Sequence, residues 1–120
     1  MKILLSPAKS LDFKSSLPTE NYSEPCFLKE ANFLNSILKS KNPAQISELM
    51  HISSSLGELN YERFQEWSSK PNKGNARQAI YAFSGDVYKG IDSYTIKNDK
   101  IDFLQNNVRI LSGQNGLLTP

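Results

Sequence analysis

Three polar turns, each following a short apolar run, hold the residue types able to meet an anion or move a proton. Ile3-Leu4-Leu5 runs into Ser6-Pro7-Ala8-Lys9. Ala79-Ile80-Tyr81-Ala82-Phe83 runs into Ser84-Gly85-Asp86-Val87-Tyr88-Lys89-Gly90. Val108-Arg109-Ile110-Leu111 runs into Ser112-Gly113-Gln114-Asn115-Gly116. A Lys at a strand's end, aimed by a rigid Pro, is placed to meet a phosphate, so Lys9 is either an anion contact or a solvated surface cation. Arg77 carries the forked donor set that suits phosphate, or it pairs with Asp86 as a structural ion pair. Lys89, at the other end of the central stretch, is a candidate of the same kind. Asp86 serves as a general base or caps the turn that follows it. Tyr88 stacks on a base or packs inside with its hydroxyl bonded. The turns around Gly85 and Gly90, and around Ser112 and Gly113, can turn backbone N–H groups toward an anion.

Other chemistries find less support. No Ser/His/Asp arrangement is arguable, and no catalytic residue is assigned. His51 is the only histidine; iron sites want clustered His and carboxylates, so neither a metal ligand nor a cofactor is expected. Cys26 is the one cysteine. It stands in the first turn of an expected helix without a resolving partner, and is expected to be inert and half-buried. An internal disulfide is impossible, which fits a reducing compartment.

Turns of this kind need strands to aim them. Short apolar runs bounded by turn signals read as buried strands, giving strands near 2–6, 79–83 and 108–112. If these are parallel, their turns share the carboxyl edge, where open α/β sheets bind ligands. The central run has a second reading, because Ala76, Ala79, Ile80, Phe83 and Val87 also fit helical spacing; the alternative is a helix broken at Gly85. Ser23-Glu24-Pro25 signals a helix start. Phe27, Leu28, Ala31, Leu34, Ile37 and Leu38 then mark one apolar face of a helix over 25–39. Asn42-Pro43 opens a helix over 43–50. Ser53 caps another over 53–67, which Gly57 can split in two. A short helix is expected over 101–106, with polar loops over 10–24, 68–75 and 92–100. The fold class is α/β, with a mixed sheet and these helices.

Composition sets the bounds. A chain of 120 residues is about one domain. Hydrophobic residues make up 38%, low for a compact core yet above the disordered range. The net charge of +2 and pI of about 8.7 fall short of a dedicated nucleic-acid domain. The cations are not in a run, so any basic surface must be assembled by folding. The apolar start is too short for a signal peptide and no stretch approaches a membrane span; a cytoplasmic protein that does not enter the membrane is expected. Gly116-Leu117-Leu118-Thr119-Pro120 stops on an apolar run, which reads as a chain cut inside a larger single domain. Oligomeric state is not readable.

Four stretches resemble, in order along the chain, the YaaA peroxide-stress protein family. They are Ser6-Pro7-Ala8-Lys9-Ser10-Leu11-Asp12, Asn75-Ala76-Arg77-Gln78-Ala79, Phe83-Ser84-Gly85-Asp86-Val87-Tyr88-Lys89-Gly90 and Arg109-Ile110-Leu111-Ser112-Gly113. That family is longer, so residues 1–120 look like its N-terminal half. The resemblance implies a cytoplasmic protein of the hydrogen-peroxide response that helps keep unincorporated iron low. It also implies a mixed α/β fold of unusual topology, a positively charged cleft and binding of double-stranded DNA through a helix–hairpin–helix-like element. The third turn departs from the family pattern: Gln114 and Asn115 stand where an apolar residue and Tyr are usual, and Thr119 stands where Arg is usual. Two other readings compete. One is an enzyme holding a nucleotide or other phosphate ligand at the strand edge, with Asp86 in reach of it. The other is an inactive fragment.

Overall fold

A computed structural model describes residues 1–120. Its elements run β1 (Ile3–Leu5), β2 (Ser10–Leu11), α1 (Leu28–Lys39), α2 (Pro43–Met50), α3 (Ser54–Glu66), α4 (Ala79–Ala82), β3 (Phe83–Ser84), α5 (Asp86–Ile91), two single 3-10 turns (Ser93–Thr95 and Asn98–Lys100), α6 (Ile101–Asn107), β4 (Val108–Ser112) and β5 (Gly116–Leu118). The chain is α/β, as its alternation of runs and turns implies.

The helical part forms where local signals are strong. Asn42 caps α2: its side chain accepts from the Gln45 amide while the Gln45 side chain accepts from the Asn42 amide. This reciprocal box satisfies two donors that a helix start leaves open, and Pro43 fits the first position, where no N–H is needed. Ser53 caps α3 through the Leu56 amide. Gly57 does not split α3. It lets α3 press against α2, since a Cβ there would overlap Ser47 Oγ and stand 2.9 Å from the Pro43 carbonyl oxygen.

α1 departs from expectation at its start. The helix begins at Leu28, not at Pro25, and its N-cap, Phe27, makes no side-chain cap bond. Ser23 instead bonds Thr119 Oγ1 at 3.0 Å and accepts from Gln105. A long-range partnership outcompeted a local cap. Cys26 therefore precedes the helix and is exposed, not half-buried. The buried stripe of α1 is Ala31 and Asn35, while Leu34 and Ile37 are over a third exposed. Asn35 is half satisfied inside: its Nδ2 donates to the Phe64 carbonyl of α3, while its Oδ1 has no partner.

The sheet has the order β1-β4-β5. β1 and β4 are parallel, with Ile3 opposite Val108 and Leu5 opposite Ile110. β5 returns antiparallel to β4, with Ser112 opposite Gly116. β5 adds a strand beyond the expected three; the apolar run 116–118 finds its partner in the preceding strand. Side chains alternate across a strand, so Val108, Ile110 and Leu118 are buried while Leu4, Leu111 and Leu117 face solvent. The buried face packs on Ile80, Tyr81 and Tyr88. Removing an aliphatic side chain such as Ile110 from water is worth about 1.5–3 kcal/mol.

The strand expected over 79–83 is corrected. Ala79–Ala82 is one helical turn, and only Phe83–Ser84 is extended. It pairs antiparallel with β2 in a separate ribbon, Ser10 opposite Ser84. The helical spacing of Ala79, Ile80 and Phe83 prevailed because a turn of helix suffices to bury Ile80, Tyr81 and Ala82. Gly85 then breaks the helical path at φ +135°, a value side-chain-bearing residues rarely adopt.

Candidate functional site

Because β1 and β4 are parallel, the turns leaving them lie at one edge of the sheet. The 6–9 turn and the 112–116 turn are thus neighbours. The 84–90 segment joins them by a different route. Tyr88, on α5, donates its hydroxyl to the Ser6 carbonyl at 2.5 Å, and a Cβ at Gly85 would stand 3.6 Å from Ala8. The three stretches meet, although the three-strand parallel sheet expected to join them does not form.

The side chains divide into those turned in and those turned out. Tyr88 is 5% exposed, packed against Phe83 with ring centroids 5.6 Å apart; burial pushes its hydroxyl pKa up. It sits in the helix Asp86–Ile91, with Lys89 and Gly90, so the expected glycine-bracketed bend is a short helix. Arg77 is turned inward. Its Nη1 donates to the Tyr94 hydroxyl at 3.1 Å and lies 3.9 Å from Asp12 Oδ1, with 11% of the side chain exposed. Its partner is Asp12, not Asp86, which is exposed on the first turn of α5. Lys9 is exposed, and its ammonium donates to the Met50 carbonyl at 2.6 Å, at the C-terminal end of α2 where a cation is favoured. Lys89 is exposed. Ser112 Oγ accepts from the Asn115 amide, closing the β4–β5 hairpin rather than a strand-to-helix turn. Gly113 is exposed at its tip. His51 takes the left-handed position that ends α2, with φ 54°.

Between β3, α5 and the Ser93–Thr95 turn lies a half-open cavity of about 190 Å³. Its walls include Tyr81, Phe83, Tyr88 and Tyr94, and its polar lining includes Asp12, Ser84, Ser93, Lys89 and Asp92. Asp12 is the most constrained of these. Its Oδ1 accepts from the Lys14 and Ser15 amides at 2.9 and 3.0 Å, and its Oδ2 lies 3.1 Å from the Tyr94 hydroxyl. Its backbone amide donates to the Ala82 carbonyl at 2.7 Å, anchoring the loop over α4. The Ser15 hydroxyl, then the Ser15 and Lys14 amides, hold its carboxyl well below the usual carboxylate range. A carboxylate so held is a fixed acceptor, not a proton shuttle near neutrality.

Tyr94 is the hub. Its hydroxyl accepts from Arg77 and has one proton for two acceptors, Asp12 Oδ2 and the Tyr81 carbonyl at 2.8 Å. Burial pushes the Tyr94 and Tyr81 hydroxyl pKa values up, so both stay neutral donors. Tyr81, its ring tilted against Tyr94 with centroids 5.2 Å apart, is buried, and its hydroxyl has no partner. Sequence reasoning gives Asp12, Tyr81, Ser93 and Tyr94 no role. Asp12 closes the first family-like stretch and Tyr81 lies in the central apolar run, so both carry a signal. Tyr94 sits in a polar loop with none.

A family model described as "Peroxide stress protein YaaA" matches residues 1–120. A UPF0246 protein of Flavobacterium johnsoniae is 52% identical over all 120 residues, which span 48% of that relative. A UPF0246 protein of Flavobacterium psychrophilum is 49% identical over the same residues, again 48% of its length. One of Hahella chejuensis is 48% identical, the match spanning 47% of it. The chain spans about half the length of the curated relatives it matches.

Proposed function

The chain belongs to the peroxide stress protein YaaA family, and from that premise we propose that it acts in the hydrogen-peroxide response as a cytoplasmic DNA-associated protein. It binds duplex DNA without strong sequence preference and helps limit iron-dependent damage there. One observation supports this reading above others: the parallel pairing of β1 with β4, with the Tyr88–Ser6 bond, gathers the three family-like turns at one sheet edge. Lys9 and Lys89 are the exposed cations of those turns. The chain's net charge of +2 fits a modest, salt-sensitive attraction, not tight binding. No helix is long and apolar enough to cross a membrane.

The nucleotide-enzyme alternative draws less support. The cavity is smaller than the roughly 300–1,000 Å³ of drug-sized sites, and Asp86 is not among its lining residues. Fluorescence anisotropy with a labelled duplex at rising salt tests the DNA reading. Log affinity should fall linearly with log salt. Lys9→Ala or Lys89→Ala should each flatten the slope by about 0.9 for every phosphate the missing ammonium had neutralised. Binding that ignores salt, or slopes untouched by both substitutions, would refute this assignment.

A further inference from the structure

We infer that the outer face of the β1-β4-β5 sheet is a docking surface, and that its occupant is an apolar segment carrying a carboxylate, supplied by the half of the relatives' chain that this chain does not span. Side chains alternate across a strand, and the register sets Leu4 beside Arg109 and Leu111 beside Leu117. These positions share one face, while Leu5, Ile110 and Leu118 lie in the core behind it. A sheet with one face in water carries polar residues at its outer positions. Here Leu4, Leu111 and Leu117 occupy them, 61%, 48% and 42% exposed. Ile3-Leu4-Leu5 has no polar position at all, which is the pattern of a strand covered on both sides. Parallel pairing, which joins β1 to β4, is likewise found almost only in sheets with both faces covered.

Length and area select the occupant. The chain spans 48% of its Flavobacterium relatives, so a comparable length of chain is left to cover this face. Within the chain, α1 and α2 pack on α3 and leave the three leucines open. A second copy fits less well. A stable interface buries about 800 Å² per partner through roughly 20–30 residues, far more than Leu4, Arg109, Leu111 and Leu117 offer. A segment tethered to the same sheet binds at high effective concentration and needs less area. Arg109, set among the leucines, fixes the segment's charge. Its Nη1 donates to the Gln105 and Val108 carbonyls, and the ion pairs Lys73–Glu20, Arg77–Asp12 and Lys100–Asp99 leave it out. A wholly apolar cover would bury an unpaired guanidinium, which is costly, so the covering segment sets an Asp or Glu against it.

Thiol footprinting tests this assignment. Leu4→Cys and Leu111→Cys are made separately, each with Cys26→Ser, so that every protein carries a single thiol. Each is made in the 120-residue chain and in that chain joined after Pro120 to the remaining half of the Flavobacterium johnsoniae relative. Maleimide labelling is read against the same protein unfolded in urea. Both thiols should react at nearly the unfolded rate in the short chain, and about tenfold more slowly or less in the joined protein. The same cysteines at the aligned positions of the full-length relative give this reading should the joined protein not fold. Either thiol labelled as fast with the added half as without it overturns the docking surface. Protection in the short chain that grows with its concentration overturns the stated occupant and makes a second copy the cover. Arg109→Met keeps the stem and removes the charge. It should lower the urea midpoint of the joined protein more than that of the short chain, because only there is a carboxylate left buried without its partner. Equal shifts in the two overturn the carboxylate.

Discussion

The Tyr81 and Tyr94 rings lie tilted with centroids 5.2 Å apart, and one hydroxyl is bonded while the other is not, so the same substitution should act differently at the two positions. In Tyr94→Phe, Arg77 loses the acceptor 3.1 Å from its Nη1, and one of Asp12 Oδ2 or the Tyr81 carbonyl loses its donor. One proton serves two acceptors, so two bonds are lost, not three. A bond to a charged group is worth about 1.5–3 kcal/mol and a neutral one about 0.5–1.5 kcal/mol. Asp12 is 25% exposed and water will replace part of its loss, so the expected cost is about 2–3 kcal/mol. In Tyr81→Phe no bond is lost and an unpartnered hydroxyl disappears; the expected change lies between zero and a gain of about 1 kcal/mol. Urea unfolding of both variants and the parent, compared by midpoint at constant m, reads the difference directly. Against a whole-domain stability of about 5–15 kcal/mol the gap is easily resolved. Equal shifts, or a larger loss from Tyr81→Phe, would show that the hydroxyl inventory does not govern this cluster.

Asp12→Asn should destabilise the protein by an amount that is steady near neutral pH and shrinks on acidification. The folded carboxyl titrates well below its ordinary value, so its contribution is present above about pH 4 and is lost as pH falls toward the folded value. Thermal melts of both proteins across that window check it; a difference that grows with acid contradicts it. Gly57→Ala should lose up to about 2 kcal/mol, because overpacking against Ser47 and Pro43 costs about 1–3 kcal/mol and the helix gains about 1 kcal/mol from the added methyl. Adding Ser47→Ala should recover part of that loss and not all of it, since the Pro43 carbonyl stays 2.9 Å away; full recovery or none would contradict the stated geometry.

The elements legible along the chain are those whose signals are local. Asn42-Pro43 and Ser53 announce α2 and α3, because a cap is made by residues three positions away. The runs 3–5 and 108–112 announce β1 and β4, because a few apolar residues between turn formers have few other uses. The family-like stretches likewise point to the edge where the turns collect. What chain order does not reveal is partnership. Ile80 bonds through its amide to the Pro120 carbonyl, Tyr88 to Ser6 and Tyr94 to Asp12, over separations of 40 to 82 residues. Whether Arg77 faces solvent or a carboxylate, and whether 79–83 is strand or helix, depends on which distant group arrives beside it. Short-range propensity at these positions is nearly balanced, so a few long-range hydrogen bonds and one buried face settle the outcome.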